Sequence, residues 1–399
     1  MFPTPLTSKK RLLAIGLNSG TSADGLDLAA VRVNPYTKAP RVKFIKGKTV
    51  KYPPPLYRMV QAAIGDDALT VDDIIDLDRQ LGRFYGKQAA QFIQALKRTG
   101  LNVNLVVSHG QTVRHRPGRL KVGRRRESGT LQLGHPETIA YLAGRPVIAD
   151  VRQADIAAGG EGAPITSLAM YHLFASDTES RLLVNVGGIA NYFLFPRASR
   201  PGKMRAADCG PGNSLMDILS RRFLKSSYDP GGRNAARGTI SRRLLALLTA
   251  DNFLKGKYGP STGRERFGVK FADRIAVCGK TLKLSRYDIM ATTTELTALS
   301  IATAIGPLVK RHRLPGVYLL GGGGRNRFLT ARLAEHLGEP KLFSVDALGF
   351  NPDYLEAVCY ALMGVLTACG RPAVLPHITG AIRPGPAGRL ILPPDGKMF

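Results

Sequence analysis

A strand, a turn of small polar residues and a second strand occur twice in the sequence, and this repetition limits the possible folds most strongly. The apolar runs Leu12 to Leu17 and Leu26 to Val33 flank the first turn, and Arg181 to Val186 and Tyr192 to Phe195 flank the second. Each run is short and contains the branched residues that strands favour. The pattern predicts a duplicated α/β domain with a hairpin in each half.

The first turn is rich in groups that can bind a phosphate. Residues 18–25 supply hydroxyls, small side chains and backbone N–H groups, with carboxylates at 24 and 27. Backbone N–H concavities hold phosphates, and a carboxylate beside them can hold the magnesium ion of a nucleotide. A plain hairpin uses the same residue types. The segment alone leaves both interpretations open.

The segment from Asp150 to Pro164 combines side chains that suit catalysis. Asp150 and Asp155 flank Arg152 directly after a predicted strand at residues 147–149, and a glycine-rich turn follows. An arginine can anchor an anionic substrate, and a carboxylate across the substrate can accept a proton from a nucleophile. A surface ion pair on a loop is the alternative interpretation.

Two further segments have the composition of ligand sites. A short buried strand, Leu105 to Ser108, is predicted to end in the polar stretch 109–117, and α/β proteins place ligands beyond such strand ends. A second strand, Gly316 to Leu320, runs into a glycine loop and then a helix, which suits the phosphates or sugar of a nucleotide. The loop matches neither the Walker A nor the Rossmann pattern.

Composition narrows the class of protein. The 399 residues are enough for two domains, and we identify no apolar run of the roughly 20 residues that a membrane helix needs. The net charge of +28 would suit nucleic acid, but the basic run at 114–126 lacks the interleaved aromatic residues that stack on bases. Four scattered cysteines fit a reducing compartment. We expect a cytoplasmic protein without a membrane partner.

Nine short segments between about Gly16 and Ala381 form a more specific pattern than any one of them. They are Ser19–Gly25, Ser108–Pro117, Thr130–Gly134, Arg152–Pro164, Asn185–Asn191, Asp208–Asn213, Ser261–Glu265, Gly321–Gly323 with Asn326, and Thr379–Ala381. In this order they resemble the anhydro-N-acetylmuramic acid kinases. The resemblance implies a two-lobed sugar kinase/Hsp70/actin-like α/β fold, with duplicated RNase H-like domains around a central cleft for ATP and sugar. It suggests a first lobe at 11–160 plus the tail 376–399, and a second lobe at 161–375.

The resemblance also implies a reaction and a set of site residues. Water would open the 1,6-anhydro ring, and ATP would phosphorylate O6 to give N-acetylmuramic acid 6-phosphate, a step in the recycling of cell-wall sugars. Asp155 would be the general base, and His109, Thr112, Arg152 and Glu356 would contact the sugar. Asp24 would bind Mg²⁺. The residues implied for ATP are Gly20, Thr21, Ser22, Ala23, Asp24, Gly25, Leu26, Asp27, Gly187, Gly188, Asp208, Gly210, Gly322 and Gly323.

Departures from the family pattern leave the choice of sugar open. They are Asn18, His135, Glu161, Pro260 and Val374, together with a longer basic loop at 114–126. A kinase of another 1,6-anhydrosugar such as levoglucosan is therefore one alternative. A basic nucleic-acid-associated protein on a kinase scaffold is an alternative of another class. The expected partners are ATP and an anhydrosugar. No membrane partner is expected, nucleic acid is disfavoured, and a homodimer stays open.

Overall fold

The chain is described by a computed structural model over residues 11–20, 23–37, 39–65, 68–122, 125–251, 254, 262, 266–338 and 340–395. Thr21, Ser22 and Pro260 of the sequence predictions lie outside these ranges, as does the segment 261–265 apart from Thr262.

The secondary structure alternates between strands and helices along the chain. The elements are β1 (Leu12–Ser19), β2 (Gly25–Asn34), β3 (Arg41–Lys51), α1 (Pro54–Ile64), α2 (Val71–Lys97), β4 (Leu105–Val122), β5 (Arg125–Leu133), α3 (Pro136–Ala143), β6 (Val147–Ala149), α4 (Gln153–Ala157), α5 (Ser167–Phe174), β7 (Arg181–Val186), β8 (Ile189–Phe195), β9 (Arg205–Pro211), α6 (Ser214–Leu224), α7 (Arg242–Thr249), α8 (Val269–Thr281), α9 (Arg286–His312), β10 (Gly316–Leu320), α10 (Arg327–Leu337), β11 (Lys341–Ser344), α11 (Leu355–Ala368), α12 (Pro376–Thr379) and β12 (Arg389–Ile391).

The two sheets share one strand order, which confirms the predicted duplication. In the first sheet β1, β2 and β3 pair antiparallel, and β4 and β6 continue parallel on the other side of β1. In the second sheet β7, β8 and β9 pair antiparallel, and β10 and β11 continue parallel beyond β7. This is the order of an RNase H-like domain, and each copy begins with one of the two predicted hairpins.

The chain divides into two compact units whose boundaries differ from the predicted lobes. The first unit is Met1–Leu173 with Asp353–Phe399, and the second is Phe174–Pro352. The segment 161–173 and helix α11 therefore belong with the first sheet and not with the second lobe. Tyr360 of α11 stacks on His109 of β4 with ring centroids 4.4 Å apart. Contacts between residues that are far apart in the sequence, such as His109 and Tyr360, place α11 in the first unit.

Burial explains why the central strands form where the apolar runs predict them. All eight residues of β1 are buried, as expected for a strand covered on both faces. On α2, apolar residues at helical spacing, such as Leu77, Leu81 and Tyr85, face the core of the first unit. Thr70 and Asp73 form a capping box that begins this helix.

Three parts of the secondary structure were not predicted from the sequence. The strand predicted to end at Ser108 continues to Val122 as β4 and pairs with β5, so the stretch 109–117 is strand and not loop. Asp208 lies within the strand β9. The region after the first hairpin contains β3 and α1. These strands are polar, and cross-strand pairing forms them without the apolar pattern that predicts strands.

One helix of the described ranges, α9, is long and apolar enough by composition to cross a membrane. In its most apolar 18-residue window 78% of the residues are buried within the protein. Ile289, Leu296 and Ile301 are among the residues that α9 contributes to the core of the second unit. Its apolar character is that of a core helix.

Candidate functional site

The carboxylate of Asp155 is buried and held by two hydrogen bonds. Asp155 is 2% exposed on the short helix α4. Its Oδ2 accepts the N–H of Gly162 at 2.9 Å, and its Oδ1 accepts the hydroxyl of Thr379 at 2.6 Å. The loop passes so close that a Cβ at Gly160 would lie 2.3 Å from Oδ2. The carboxylate is therefore oriented by the chain around it.

Arg152 contacts the same loop as this carboxylate and also contacts His109 of β4. The Nε of Arg152 donates to Nε2 of His109 at 2.9 Å, and its Nη1 donates to the carbonyl oxygen of Gly162 at 2.6 Å. Because Nε2 of His109 accepts, a neutral ring carries its proton on Nδ1. Burial and the charge of Arg152 hold the pKa of His109 well below its usual value. The structure brings together three of the predicted residues: His109, Arg152 and Asp155.

Thr112 lies further along β4, three residues after His109. Its hydroxyl accepts a hydrogen bond from Nε2 of Gln132 on β5 at 3.2 Å, and the same amide donates to Thr130 at 2.7 Å. His115, which pairs with Thr130 across the two strands, has a pKa lowered to about 4 by burial and by the charge of Arg152. The β4–β5 ribbon thus places a polar surface near Arg152.

A buried network of polar side chains contacts the end of β1 in the first hairpin. The hydroxyl of Ser19 lies 2.6 Å from Oε1 of Gln111 and accepts the hydroxyl of Tyr52 at 2.8 Å. Tyr52 is also 2.6 Å from the hydroxyl of Tyr85. In the turn, the N–H of Ala23 donates to the carbonyl of Gly20 at 3.0 Å. The end of β1 is therefore anchored to Tyr52, to β4 and, through Tyr52, to α2.

Acidic side chains gather around the end of this hairpin. Burial, followed by the charges of Glu356, Asp24 and Asp353, raises the pKa of Asp27 to about 6, and a hydrogen bond from Thr49 opposes the shift. Glu356 accepts a hydrogen bond from Nδ2 of Asn18 at 2.8 Å. Glu356, which the resemblance places on the sugar side, thus also lies at the first hairpin.

The donors at the hairpin fit a magnesium ion held mostly by a nucleotide. Within the described ranges, no three His, Cys, Asp or Glu side chains are grouped closely enough to hold a metal ion by themselves. Mg²⁺ keeps several waters and uses one or two carboxylates together with substrate phosphates. Asp24 and Asp27 satisfy this requirement.

Replacement of Asp27 by asparagine should stabilise the metal-free protein at high pH. The pKa of Asp27 is raised from 3.8 in the unfolded chain to about 6, so its contribution is complete below pH 4 and is lost as pH rises to 6. Asp27→Asn keeps an acceptor for Thr49 and removes the charge. Thermal unfolding without metal should show a Tm about 2 °C higher at pH 8 and unchanged at pH 4. An equal shift at both pH values would contradict this.

The second hairpin packs against the segment that follows β9. The N–H of Gly212 donates to the carbonyl of Gly188 at 3.0 Å, and the N–H of Asn213 donates to Gly187 at 2.7 Å. A Cβ at Gly212 would lie 2.1 Å from the Gly187 oxygen. Asp208, in β9, accepts the N–H of Thr262 at 2.7 Å. Backbone contact between two glycine turns therefore shapes this part of the second unit.

The glycine segment that follows β10, which includes Gly322 and Gly323, packs against the same hairpin. Gly323 lies against Val186, where a Cβ would come 2.2 Å from Cγ1. Asn213 donates its side-chain N–H to the carbonyl of Val186 at 2.9 Å. Gly210 has a φ of +117° and faces Ser300 of α9. The six predicted nucleotide residues of this unit thus lie on three segments that a network of backbone contacts joins.

The site prediction missed several residues that the structure shows to be structurally central. Gly162, Thr379, Gly212 and Asn213 all occur in the nine segments of the sequence pattern, so their motifs were visible although their roles were not. Asn18 was noted only as a departure. Glu295, a buried carboxylate on α9, belongs to none of these segments.

Comparison with known proteins agrees with the residue pattern. A family model described as anhydro-N-acetylmuramic acid kinase matches residues 12–392. The protein of that name from Caldanaerobacter subterraneus subsp. tengcongensis is 32% identical over 388 residues, which cover 96% of this chain and 98% of the relative. The one from Xanthomonas axonopodis pv. citri is 38% identical over 374 residues, or 93% and 96% of the two chains.

A solved structure of the activator of 2-hydroxyisocaproyl-CoA dehydratase from Clostridium difficile with bound ADPNP aligns with 90% of this chain and 96% of its own, at 13% identity and a TM-score of 0.41. The full-length agreement in sequence decides the family: the chain belongs to the anhydro-N-acetylmuramic acid kinases.

Proposed function

We propose that the protein is an ATP-dependent kinase of anhydro-N-acetylmuramic acid that opens the 1,6-anhydro ring with water and phosphorylates O6. The product is N-acetylmuramic acid 6-phosphate. The observation that carries the proposal is the oriented carboxylate of Asp155 beside Arg152 and His109. Membership of the family supports the substrate.

Asp155 acts as the general base in this proposal. Its oxygens each accept one hydrogen bond, from Gly162 and Thr379, and each keeps a lone pair for a further proton. The base takes a proton from the water that forms a bond to C1, and the bond between C1 and O6 breaks. The freed O6 then attacks the γ-phosphorus of ATP, the bond to the bridging oxygen of the β-phosphate breaks, and ADP leaves. Proton transfer to a positioned side chain contributes roughly 10²–10⁴-fold to a rate.

Arg152 and His109 orient the sugar. Arg152 is fixed by His109 and Gly162, so its guanidinium keeps one direction without ordering cost on binding. The lactyl carboxylate of the muramic sugar is an anion that an arginine suits. Thr112 and Glu356 complete the proposed sugar contacts.

The nucleotide binds along the glycine segments in this proposal. Gly20 to Asp27 hold the phosphates, and Gly187, Gly188, Asp208, Gly210, Gly322 and Gly323 form the rest of the site. Magnesium, held by Asp24 and the phosphates, neutralises charge on the transferring phosphoryl group. At Gly25 and Gly323 a Cβ would come within 2.6 Å and 2.2 Å of a neighbouring atom, so close packing excludes a side chain there. Bare backbone at glycine lets a nucleotide approach closely.

Two of the sequence departures have structural explanations. His135 is the N-cap of α3, where Nδ1 accepts the N–H of Thr138 at 3.2 Å. Val374 is buried, at 3% exposure. Neither requires a different sugar, and the relatives support neither levoglucosan as substrate nor a nucleic-acid-associated function. We place the enzyme in the cytoplasm, where a recycled sugar and ATP meet.

The test is ADP release by the purified protein with magnesium and ATP. Anhydro-N-acetylmuramic acid, levoglucosan and no sugar are offered in parallel. We expect a kcat/KM for the muramic sugar at least about tenfold above that for levoglucosan, since the arginine gains an anionic partner only from the former. Turnover that prefers levoglucosan, or no turnover with either sugar, would contradict the proposal.

A further inference from the structure

Three buried acidic side chains occur in the part of the chain that the structure describes: Asp155, Asp229 and Glu295. Asp155 belongs to the site above. Asp229 accepts backbone N–H groups of Asn234 and Ala235 and so closes a local turn. Glu295 is different, because its partners lie 37 and 41 residues further along the chain, on α10.

The carboxylate of Glu295 holds two side chains of α10 at once. Arg332 donates Nε to Oε2 at 2.6 Å and Nη2 to Oε1 at 3.1 Å, while Nε2 of His336 lies 2.8 Å from Oε1. Burial acts to raise the pKa of Glu295, but the bonds from Arg332 and His336 outweigh it, and the pKa lies below its usual value. An ionised carboxylate therefore binds α10 to α9 at two positions one helical turn apart.

The glycine loop at residues 322–325 is followed directly by α10, with only Asn326 between them. Residues 322–325 form a single tight turn that ends at Asn326. The N–H of Asn326 donates to the carbonyl of Gly323 at 3.0 Å, and its Oδ1 accepts the N–H of Leu329 at 3.0 Å as the cap of α10. Any displacement of α10 is therefore passed directly to Gly322 and Gly323.

The same stretch of α9 also contacts the glycine-containing segment that follows β9. Thr297, two residues after Glu295, donates its hydroxyl to the carbonyl of Gly212 at 3.3 Å. Gly212 in turn donates to Gly188 in the turn between β7 and β8. One short stretch of α9 thus contacts two glycine segments. The hydroxyl of Thr297 binds the segment at Gly212, and the ionised carboxylate of Glu295 holds the helix α10 that follows the loop 322–325.

We propose that Glu295 is a positioning residue for the nucleotide, which fixes α10 and the Gly322–Gly323 loop relative to the Gly187–Gly188 turn. The proposal rests on the assignment of these glycines to the nucleotide under the proposed function. Glu295 touches neither substrate in this account. It acts through Arg332 and the helix, so its loss should weaken nucleotide binding and leave the chemistry of the bound complex intact.

The experiment compares Glu295→Gln with Glu335→Gln in the full chain. Glutamine keeps the size of the side chain but loses the charge and one acceptor oxygen. Glu335 also pairs with Arg332, from an exposed position, and serves as the matched control. We expect Glu295→Gln to raise both the calorimetric Kd for ADP and the KM for ATP about tenfold, with kcat and the KM for the sugar within about twofold. Glu335→Gln should leave all four within about twofold.

A purely structural role would give a different result. It would lower the Tm and the active fraction while leaving Kd and KM unchanged. If Glu295→Gln does not fold, Arg332→Lys keeps a positive charge and removes the paired geometry, and the same rise in the ADP Kd is expected. An ADP Kd within twofold of wild type in the folded variant overturns the inference. Absence of kinase activity in the wild type would overturn the proposed function and leave the ADP result standing.

Discussion

Replacement of Asp155 by asparagine is expected to lower kcat about 10³-fold and to leave ADP binding within about twofold. The amide has nearly the same shape but cannot accept the proton of the attacking water. Its Oδ1 can still accept the hydroxyl of Thr379, whereas its NH₂ group faces the N–H of Gly162. This mismatch costs about 1–2 kcal/mol of folding free energy, so the variant should remain folded.

A second substitution distinguishes the effect of the base itself from the effect of the hydroxyl that orients it. Thr379→Val removes the hydroxyl that donates to Oδ1 and leaves the carboxylate in place. We expect kcat to fall about tenfold, far less than for Asp155→Asn, because a less well oriented base still accepts a proton. Initial rates with saturating ATP and sugar measure both variants. An Asp155→Asn enzyme with more than a tenth of wild-type kcat would exclude this residue as the base.

Substitution of Gly212 by alanine is expected to abolish measurable ADP binding and to lower the Tm by several degrees. The new Cβ would lie 2.1 Å from the carbonyl oxygen of Gly187, and backbone on both sides must move to admit it. Overpacking of this kind costs about 1–3 kcal/mol. The displacement falls on the turn between β7 and β8, which is proposed to contact the nucleotide.

Gly202 offers a matched control in the same unit. No heavy atom lies within 4 Å of a Cβ built on this glycine. Gly202→Ala should change the free energy of unfolding by less than about 0.5 kcal/mol and leave the ADP Kd unchanged. Calorimetric titration with ADP and thermal unfolding compare the two variants. Wild-type ADP affinity in Gly212→Ala would show that this turn is not part of the nucleotide site.

Elements with a local signal were predictable from the sequence. Strands β6, β7 and β10 have the predicted bounds, because an apolar run is encoded in adjacent residues. The two hairpins also revealed the duplication. The β4–β5 ribbon beyond Ser108 was not predicted as a whole, since its strands are polar there and their pairing with each other, rather than burial, forms them.

Contacts between distant residues were decided only by the tertiary structure. The sequence by itself determined the family, through nine short motifs in a fixed order. It also revealed the repeated hairpins and the candidate base, because each of these lies in one contiguous stretch. It could not show that Thr379 supports Asp155 across 224 residues, or that Glu356 bonds Asn18 across 338. It also did not show that Glu295 holds α10. Local patterns specify which elements form, whereas the partner of a buried polar group depends on which elements packing brings together.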